Sequence, residues 1–205
     1  YESIGHERFV EGAQLCDYYT CEIYPENIAH YKEVIQRDID FPAEYGYGLV
    51  TNKWLLQTFA GKIGLIGANT KMNIIQNIME APQYQEYLGL EKFEDYISLP
   101  QKFACDDLDA TEKMVGEQLE KSTSKIFLMG MGHVKSGLIH RLKKYSDAVF
   151  FDVGASIDAI AGVIDTDRPY AGDWTNYQID EPSLYEGVDL LAYEGKGKHI
   201  TLERE

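Results

Sequence analysis

Long apolar runs are missing from this sequence of 205 residues. A helix that crosses a membrane needs about 20 consecutive and mostly apolar residues. No segment comes near that length, so we expect a chain without a membrane span. With 44% hydrophobic and 26% charged residues, the composition is that of an ordinary globular protein. The length fits a single domain built around one core.

Cysteine is scarce as well. Cys16, Cys21 and Cys105 are the only three in the sequence, and no two of them form a Cys-x-x-Cys pair. This count argues against a disulfide scaffold and against a zinc site, and it suits a reducing compartment. We therefore expect a cytoplasmic protein. The chain begins with Tyr1 and shows no signal-peptide pattern, so a piece of a longer protein is one interpretation.

Positive charge is in short supply. The sequence has 19 Lys and Arg against 34 Asp and Glu, which gives a formal net charge of −15. Binding to nucleic acid or to an anionic membrane surface needs clustered Lys and Arg, so we expect neither partner. A small anionic ligand is compatible with this charge, because local geometry or a bound divalent cation can override the overall field.

A glycine turn follows a short apolar strand that we predict over residues 126–129. Gly130 and Gly132 come at once, and His133 lies where a helical pattern begins. Unpaired backbone N–H groups and the positive end of a helix dipole would meet there, which suits a phosphate. We therefore predict a phosphate-binding turn with His133 as a further donor. The alternative is that the glycines only permit a tight turn and that His133 faces solvent.

A second strand, predicted over residues 148–153, ends in Asp152 beside Gly154, and Asp158 follows soon after. Ligands in open α/β sheets bind at the carboxyl ends of strands, so both carboxylates are candidate site residues. Asp152 could accept a hydrogen bond from a ribose hydroxyl, hold a metal or act as a general base. The simpler alternatives are a turn cap for Asp152 and a helix first turn for Asp158.

The segment over residues 62–67 has the same design as residues 125–130, and Gly67 takes the place of Gly130. Two such β–Gly–α units predict an α/β fold with a Rossmann-like parallel sheet flanked by helices. We expect one domain over residues 1–205. Its parts would be a helical N-terminal region over about 1–61, a β–Gly–α core over about 62–164 and a partly irregular tail over about 165–205.

Apolar periodicity predicts most of the other elements. One further strand is expected over residues 96–99, and a short helix should follow Asp158. The longer helices are predicted over residues 7–18, 25–38, 49–59, 68–79 and, with Asp109 as the cap, 110–121.

Three segments together resemble the GT-D-fold glycosyltransferases, a bacterial family with a Rossmann-like core that uses a nucleotide sugar. Residues 3–7, Ser-Ile-Gly-His-Glu, stand where the family has its Arg-hydrophobic-Gly-Asp-Gly-Glu start motif. Residues 128–132 stand for its glycine turn. Residues 151–158 stand for its strand that ends in Asp-hydrophobic-Gly with another Asp behind it. The resemblance spans nearly the whole chain.

The resemblance implies transfer of a sugar from a nucleoside-diphosphate donor, with a UDP-sugar first, to a hydroxyl of a glycan, peptide or lipid-linked acceptor. It implies Glu7 and Asp152 as catalytic residues, and Mn²⁺ or Mg²⁺ held by Glu7 and Asp158. His6 stands in place of the family's Asp, and Mn²⁺ accepts imidazole better than Mg²⁺ does. The nucleotide-binding residues would be Gly67, Gly130, Gly132, His133, Asp152, Gly154 and Arg168.

Two other interpretations stay open. A Rossmann-like binding or structural module without catalysis would fit the altered start motif. A methyltransferase that uses S-adenosylmethionine would fit the Asp-x-Gly strand end, although this motif comes late in the chain for such a domain. Arg168 has a simpler alternative too, since an Arg before Pro169 and Tyr170 often only fixes a tail to the body of a domain.

Overall fold

The computed structural model describes residues 3–21, 24–100, 104–163, 178–179 and 201–202. Its strands are β1 (Thr20–Cys21), β2 (Phe41–Pro42), β3 (Ile63–Ala68), β4 (Asp95–Leu99), β5 (Ile126–Gly130), β6 (Val149–Asp152), β7 (Gln178–Ile179) and β8 (Thr201–Leu202). Its α-helices are α1 (Ser3–Leu15), α2 (Pro25–Ile35), α3 (Glu44–Thr51), α4 (Trp54–Thr58), α5 (Asn69–Ile78), α6 (Pro82–Leu88), α7 (Leu108–Leu119) and α8 (Ser156–Ile160). Two 3₁₀ helices follow β5, at Gly132–Gly137 and Ile139–Lys144.

A four-stranded parallel sheet in the order β4-β3-β5-β6 forms the centre of the structure. β4 lies on one side of β3 and β5 on the other, so the order reverses between β3 and β5. Such a reversal is the topological switch point at which α/β sheets bind ligands. The predicted α/β fold with a parallel sheet and flanking helices is confirmed.

The central strands β3 and β5 are buried on both faces of the sheet. Successive side chains of a strand point to opposite faces, so these strands contribute to two cores. Leu65 and Leu128 face one core, which α5, α6 and α8 cover. Ile66 and Phe127 face the other core, which α7 and the 3₁₀ helices cover. Burial on both sides explains why β3 and β5 are continuous apolar runs without polar alternation.

Several predicted boundaries are corrected. The helix expected over residues 49–59 is two helices, because Lys53 adopts a left-handed conformation (φ 60°) and the Asn52 side chain accepts from the backbone N–H of Trp54. The N-cap of α7 is Asp107, whose carboxylate accepts from Ala110 N–H at 2.9 Å, and not Asp109. α6, which begins at Pro82, was not predicted.

The α-helix expected behind Gly132 is replaced by the two 3₁₀ helices. Close packing against α1 accompanies this tighter winding: a Cβ on Gly12 of α1 would lie 2.7 Å from Nδ1 of His140. Each 3₁₀ helix has only six residues. The prediction of an α-helix N-terminus that binds phosphate behind Gly132 is therefore wrong in its helix type.

The short strands β7 and β8 pair in parallel and are the only parts of the predicted tail that the structure describes. Arg168 lies outside the described residues. No helix in the described ranges is both long and apolar enough to span a membrane.

Candidate functional site

The carboxyl ends of β3, β5 and β6 bring most of the predicted site residues to one edge of the sheet. Gly67 lies directly opposite Gly130, and Met129 lies opposite Asp152. Gly154 and Asp158 follow β6 at the same edge. Parallel pairing therefore brings these predicted residues to one edge of the sheet, and their role in ligand binding stays a prediction.

The space beside the two strand-end glycines is filled by the chain itself. A Cβ on Gly130 would lie 2.6 Å from Cγ1 of Ile157 and 2.8 Å from the carbonyl oxygen of Gly154. A Cβ on Gly67 would lie 2.9 Å from Cε of Met72. Gly130 therefore allows α8 to pack closely over the strand ends, and Gly67 does the same for α5. Their predicted contact with a nucleotide stays a prediction.

Gly132 and His133 lie further out and are exposed. Gly132 has φ +57°, and nothing lies within 4 Å of where its Cβ would be. This glycine is needed for its left-handed conformation, which other residues adopt at a cost of roughly 1–2 kcal/mol. The open space beside it can accept a ligand.

Asp152 has two partners. One carboxylate oxygen accepts from the backbone N–H of Gly154 at 3.0 Å, so Asp152 caps the turn after β6. The other oxygen lies 2.5 Å from Nζ of Lys135, in the first 3₁₀ helix. The side chains of Lys135 and Asp152 are 33% and 34% exposed, so solvent and small ligands can reach this ion pair.

Asp158 forms the second ion pair of this edge, with Lys71 of α5. Its side chain is 23% exposed and that of Lys71 is 13% exposed. The pair joins α5 to α8 across the ends of β3 and β5. We call Lys71, Lys135, Asp152 and Asp158 the edge cluster.

Lys71 and Lys135 were not predicted as site residues. Their spacing in the sequence could have identified them, since Lys71 comes four positions after Gly67 and Lys135 comes five positions after Gly130. A lysine at similar spacing behind both glycine turns is placed at the same edge by the parallel strands.

Glu7 lies on α1, which packs against the 3₁₀ helix that carries Lys135. It is exposed on α1, and its neighbour Arg8 reaches Asp109 of α7 at 2.5 Å. In the part of the chain that the structure describes, no three side chains of His, Cys, Asp or Glu group closely enough to hold a metal ion. The predicted metal ligands, Glu7 and Asp158, stay predictions.

A pocket of about 590 Å³ lies at the opposite, amino edge of the sheet. Its walls come from the segments that precede β3 and β4, including Gly61. It carries three glutamates, Glu86, Glu91 and Glu94, against one lysine, Lys92. None of the predicted site residues lines it. An acidic pocket does not fit a phosphorylated ligand, so we place the candidate site at the edge cluster.

A buried polar cluster joins α7 to the second 3₁₀ helix, which follows the one that carries Lys135. The Glu112 carboxylate of α7 is only 4% exposed and pairs with Arg141 and Lys144, and it accepts from the Tyr145 hydroxyl at 3.2 Å. Burial alone would raise the pKa of Glu112. Hydrogen bonds and positive charge from Lys144 and Arg141 outweigh burial, so the pKa lies below its ordinary value.

His140 packs beside this cluster with 4% of its side chain exposed. Nε2 lies 3.3 Å from a Glu11 carboxylate oxygen, but neither ring nitrogen makes a well-aligned hydrogen bond. Burial lowers the pKa of His140 below 6.5, Glu11 opposes this shift, and Arg141 and Arg8 add to it. The imidazole is therefore neutral in the folded protein near neutral pH.

We expect the free energy of unfolding to fall as the pH drops below about 6.5, because the unfolded chain then binds a proton that folded His140 resists. The sign follows from a folded pKa below the unfolded one. Urea titrations between about pH 7.5 and about pH 5.5 measure this effect. The variant His140→Phe, which does not titrate, should show a flatter profile. Equal slopes for both proteins would contradict the assignment.

Comparison of the chain with family models, with curated proteins and with solved structures finds no match. The resemblance to the GT-D-fold glycosyltransferases thus stays a prediction. The arrangement of the edge cluster at the switch point is the basis for assigning a function to this site.

Proposed function

We propose that the chain is a glycosyltransferase that moves a sugar from a nucleoside-diphosphate donor, a UDP-sugar first, to a hydroxyl acceptor. The edge cluster is the observation that carries this proposal. It places two ammonium groups and two carboxylates at the switch point of a parallel sheet, where α/β folds bind nucleotides.

The lysines match the charge of a diphosphate. Lys135 pairs with a carboxylate that solvent reaches, so an arriving phosphate can compete for its Nζ. The exposed, open turn at Gly132 lies three residues away and leaves room for the ligand. Lys71 is more buried and acts as a fixed charge beside the leaving diphosphate.

Asp152 would then act as the general base. The acceptor oxygen forms a bond to the anomeric carbon, and the bond from that carbon to the diphosphate oxygen breaks. The acceptor proton passes to the Asp152 carboxylate, and the bonding electron pair leaves with the diphosphate. Release from Lys135 on donor binding would free this carboxylate to accept the proton.

A divalent cation does not fit the described donor set as it stands. Asp152 and Asp158 each face a lysine, and no third His, Cys, Asp or Glu joins them among the described residues. In this proposal, the ammonium groups of Lys71 and Lys135 offset the negative charge of the phosphates. Titrations with Mn²⁺ and with a chelator measure whether a divalent cation is required.

The three free cysteines support the further proposal of a cytoplasmic location.

Binding of UDP tests the proposal. At about 100 times its dissociation constant, UDP should stabilise the wild-type protein by about 2.7 kcal/mol in thermal denaturation. Lys135→Met should weaken UDP binding about tenfold or more, because it removes a direct charge partner of the phosphate. The control Lys92→Met removes a lysine that is paired with Glu94 at the amino edge, and it should bind UDP as the wild type does.

Each titration is repeated with Mn²⁺ and with a chelator, and with S-adenosylhomocysteine in place of UDP. No response to UDP under any condition would contradict the proposal, and a response to S-adenosylhomocysteine alone would favour a methyltransferase. Release of UDP from a UDP-sugar then separates transfer from binding. UDP binding without any release would favour a non-catalytic module, which the close packing of Ile157 on Gly130 also fits.

A further inference from the structure

Three aromatic side chains form a continuous exposed cluster on the N-terminal part of the chain. The ring of Phe41 lies 5.6 Å from that of Tyr18 and 6.4 Å from that of Tyr45, measured between centroids. Tyr18 is 69% exposed, Tyr45 is 68% exposed and Phe41 is 38% exposed. Aromatic rings that contact each other and still face solvent typically mark a binding surface. We call these three residues the aromatic platform.

The backbone under the aromatic platform is held rigidly. Tyr19 donates its N–H to the Asp40 carboxylate at 2.7 Å, and Asp40 donates its own N–H to the Tyr19 carbonyl at 2.9 Å. Thr20 lies opposite Phe41 in the β1–β2 pair. The segments that carry Tyr18 and Phe41 are thus fixed against each other, so little order is lost when a ligand binds.

The aromatic platform adjoins the edge cluster. A Cβ on Gly46, the neighbour of Tyr45, would lie 3.7 Å from the Phe151 ring and 4.0 Å from the Asp152 carbonyl oxygen. Burial is the largest cause that raises the pKa of Tyr19, and the charge of Asp152 adds to it. The start of α3, which carries Tyr45, therefore lies close to the backbone of Asp152, the proposed general base.

The chemistry of this surface favours a neutral sugar ring. The faces of aromatic rings carry partial negative charge and attract the weakly positive C–H groups on the face of a sugar. Asp17 is exposed beside Tyr18, whereas the Asp40 carboxylate is already occupied by Arg37 at 2.8 Å and by the Tyr19 N–H at 2.7 Å. Carboxylates accept hydrogen bonds from hydroxyls but repel phosphate or sulfate groups.

We propose that Tyr18, Phe41 and Tyr45 bind the sugar ring of a neutral carbohydrate acceptor and present one of its hydroxyls to Asp152. This inference rests on the proposed transferase function and narrows the acceptor to a glycan. The rings provide an apolar face, and the exposed Asp17 carboxylate beside Tyr18 can accept a hydrogen bond from a sugar hydroxyl.

Saturation-transfer NMR and calorimetry with lactose, cellobiose and diacetylchitobiose test the inference, with acyclic sorbitol as the ligand control. The double variant Tyr18→Ala/Tyr45→Ala should weaken binding of the preferred disaccharide at least tenfold. The variant Trp54→Ala is the matched control, because Trp54 is 56% exposed and packs on Phe59 outside the aromatic platform. It should bind the disaccharide as the wild type does.

The same variants are titrated with UDP to separate the two proposals. Loss of disaccharide binding with unchanged UDP affinity is the expected result. If none of the three disaccharides binds the wild type while UDP does, the carbohydrate inference fails and the transferase proposal stands. If the double variant instead loses self-association in sedimentation and keeps its disaccharide affinity, the aromatic platform is an interface between copies, and the inference fails as well.

Discussion

Replacement of Arg141 and Lys144 together by methionine should lower the free energy of unfolding by about 3 kcal/mol. The buried Glu112 carboxylate would keep its charge with only the Tyr145 hydroxyl as a partner. A buried carboxylate without a cation is among the most destabilising features a core can contain. Urea denaturation at neutral pH measures the change.

The triple variant Glu112→Gln/Arg141→Met/Lys144→Met is the matched control. It removes the charge together with its partners, so it should recover a large part of the lost stability. The double variant should also gain stability at acidic pH relative to neutral pH, because its unpaired Glu112 would have a raised pKa. Equal stability of the double and triple variants at neutral pH would show that Glu112 does not need its cations.

Gly130→Ala should also destabilise the fold strongly, by about 3 kcal/mol. The added Cβ would lie 2.6 Å from the Ile157 side chain and 2.8 Å from the Gly154 carbonyl oxygen. The side chain can shift, but the backbone oxygen belongs to the turn that Asp152 caps, so the strain spreads into the edge cluster. The thermal midpoint and the urea midpoint both report the loss.

Gly48→Ala is the control for this variant. Gly48 lies within α3, and nothing lies within 4 Å of where its Cβ would be. A glycine in such a helix position is less stable than alanine by roughly 0.5–1 kcal/mol, so this variant should be more stable than the wild type. A tolerated Gly130→Ala would mean that α8 is free to move off the strand ends, and it would strengthen the case for a nucleotide at Gly130.

The fold was predictable because its signals are local. Each apolar run that ends in glycine, at Gly67 and at Gly130, is buried on both faces, and a short polar or helical segment follows it. Parallel pairing then places the ends of these strands together, so Asp152 lies at the same edge of the sheet as Gly67 and Gly130. Caps were less predictable, because Asp107 and Asp109 are chemically alike and only the backbone conformation selects Asp107.

The partners of the site carboxylates could not be predicted in the same way. Lys71 and Asp158 are far apart in sequence, and their contact depends on how α5 and α8 pack over the sheet. The 3₁₀ winding around Lys135 also depends on tertiary contacts, since Gly137 packs against Leu108 of α7 and His140 packs against α1. The local sequence does not specify such packing, so helix propensity alone predicted an α-helix behind Gly132.

The central position of β3 governs the order in which this domain can fold. Ile63 of β3 pairs with Ile126 of β5, and these residues are widely separated along the chain. Contacts at such separation form slowly, because a long loop must close before they are made. During synthesis, β3 can pair with β4 early but keeps one apolar edge open until β5 emerges. That interval is when the nascent protein is most exposed to aggregation and to the action of chaperones.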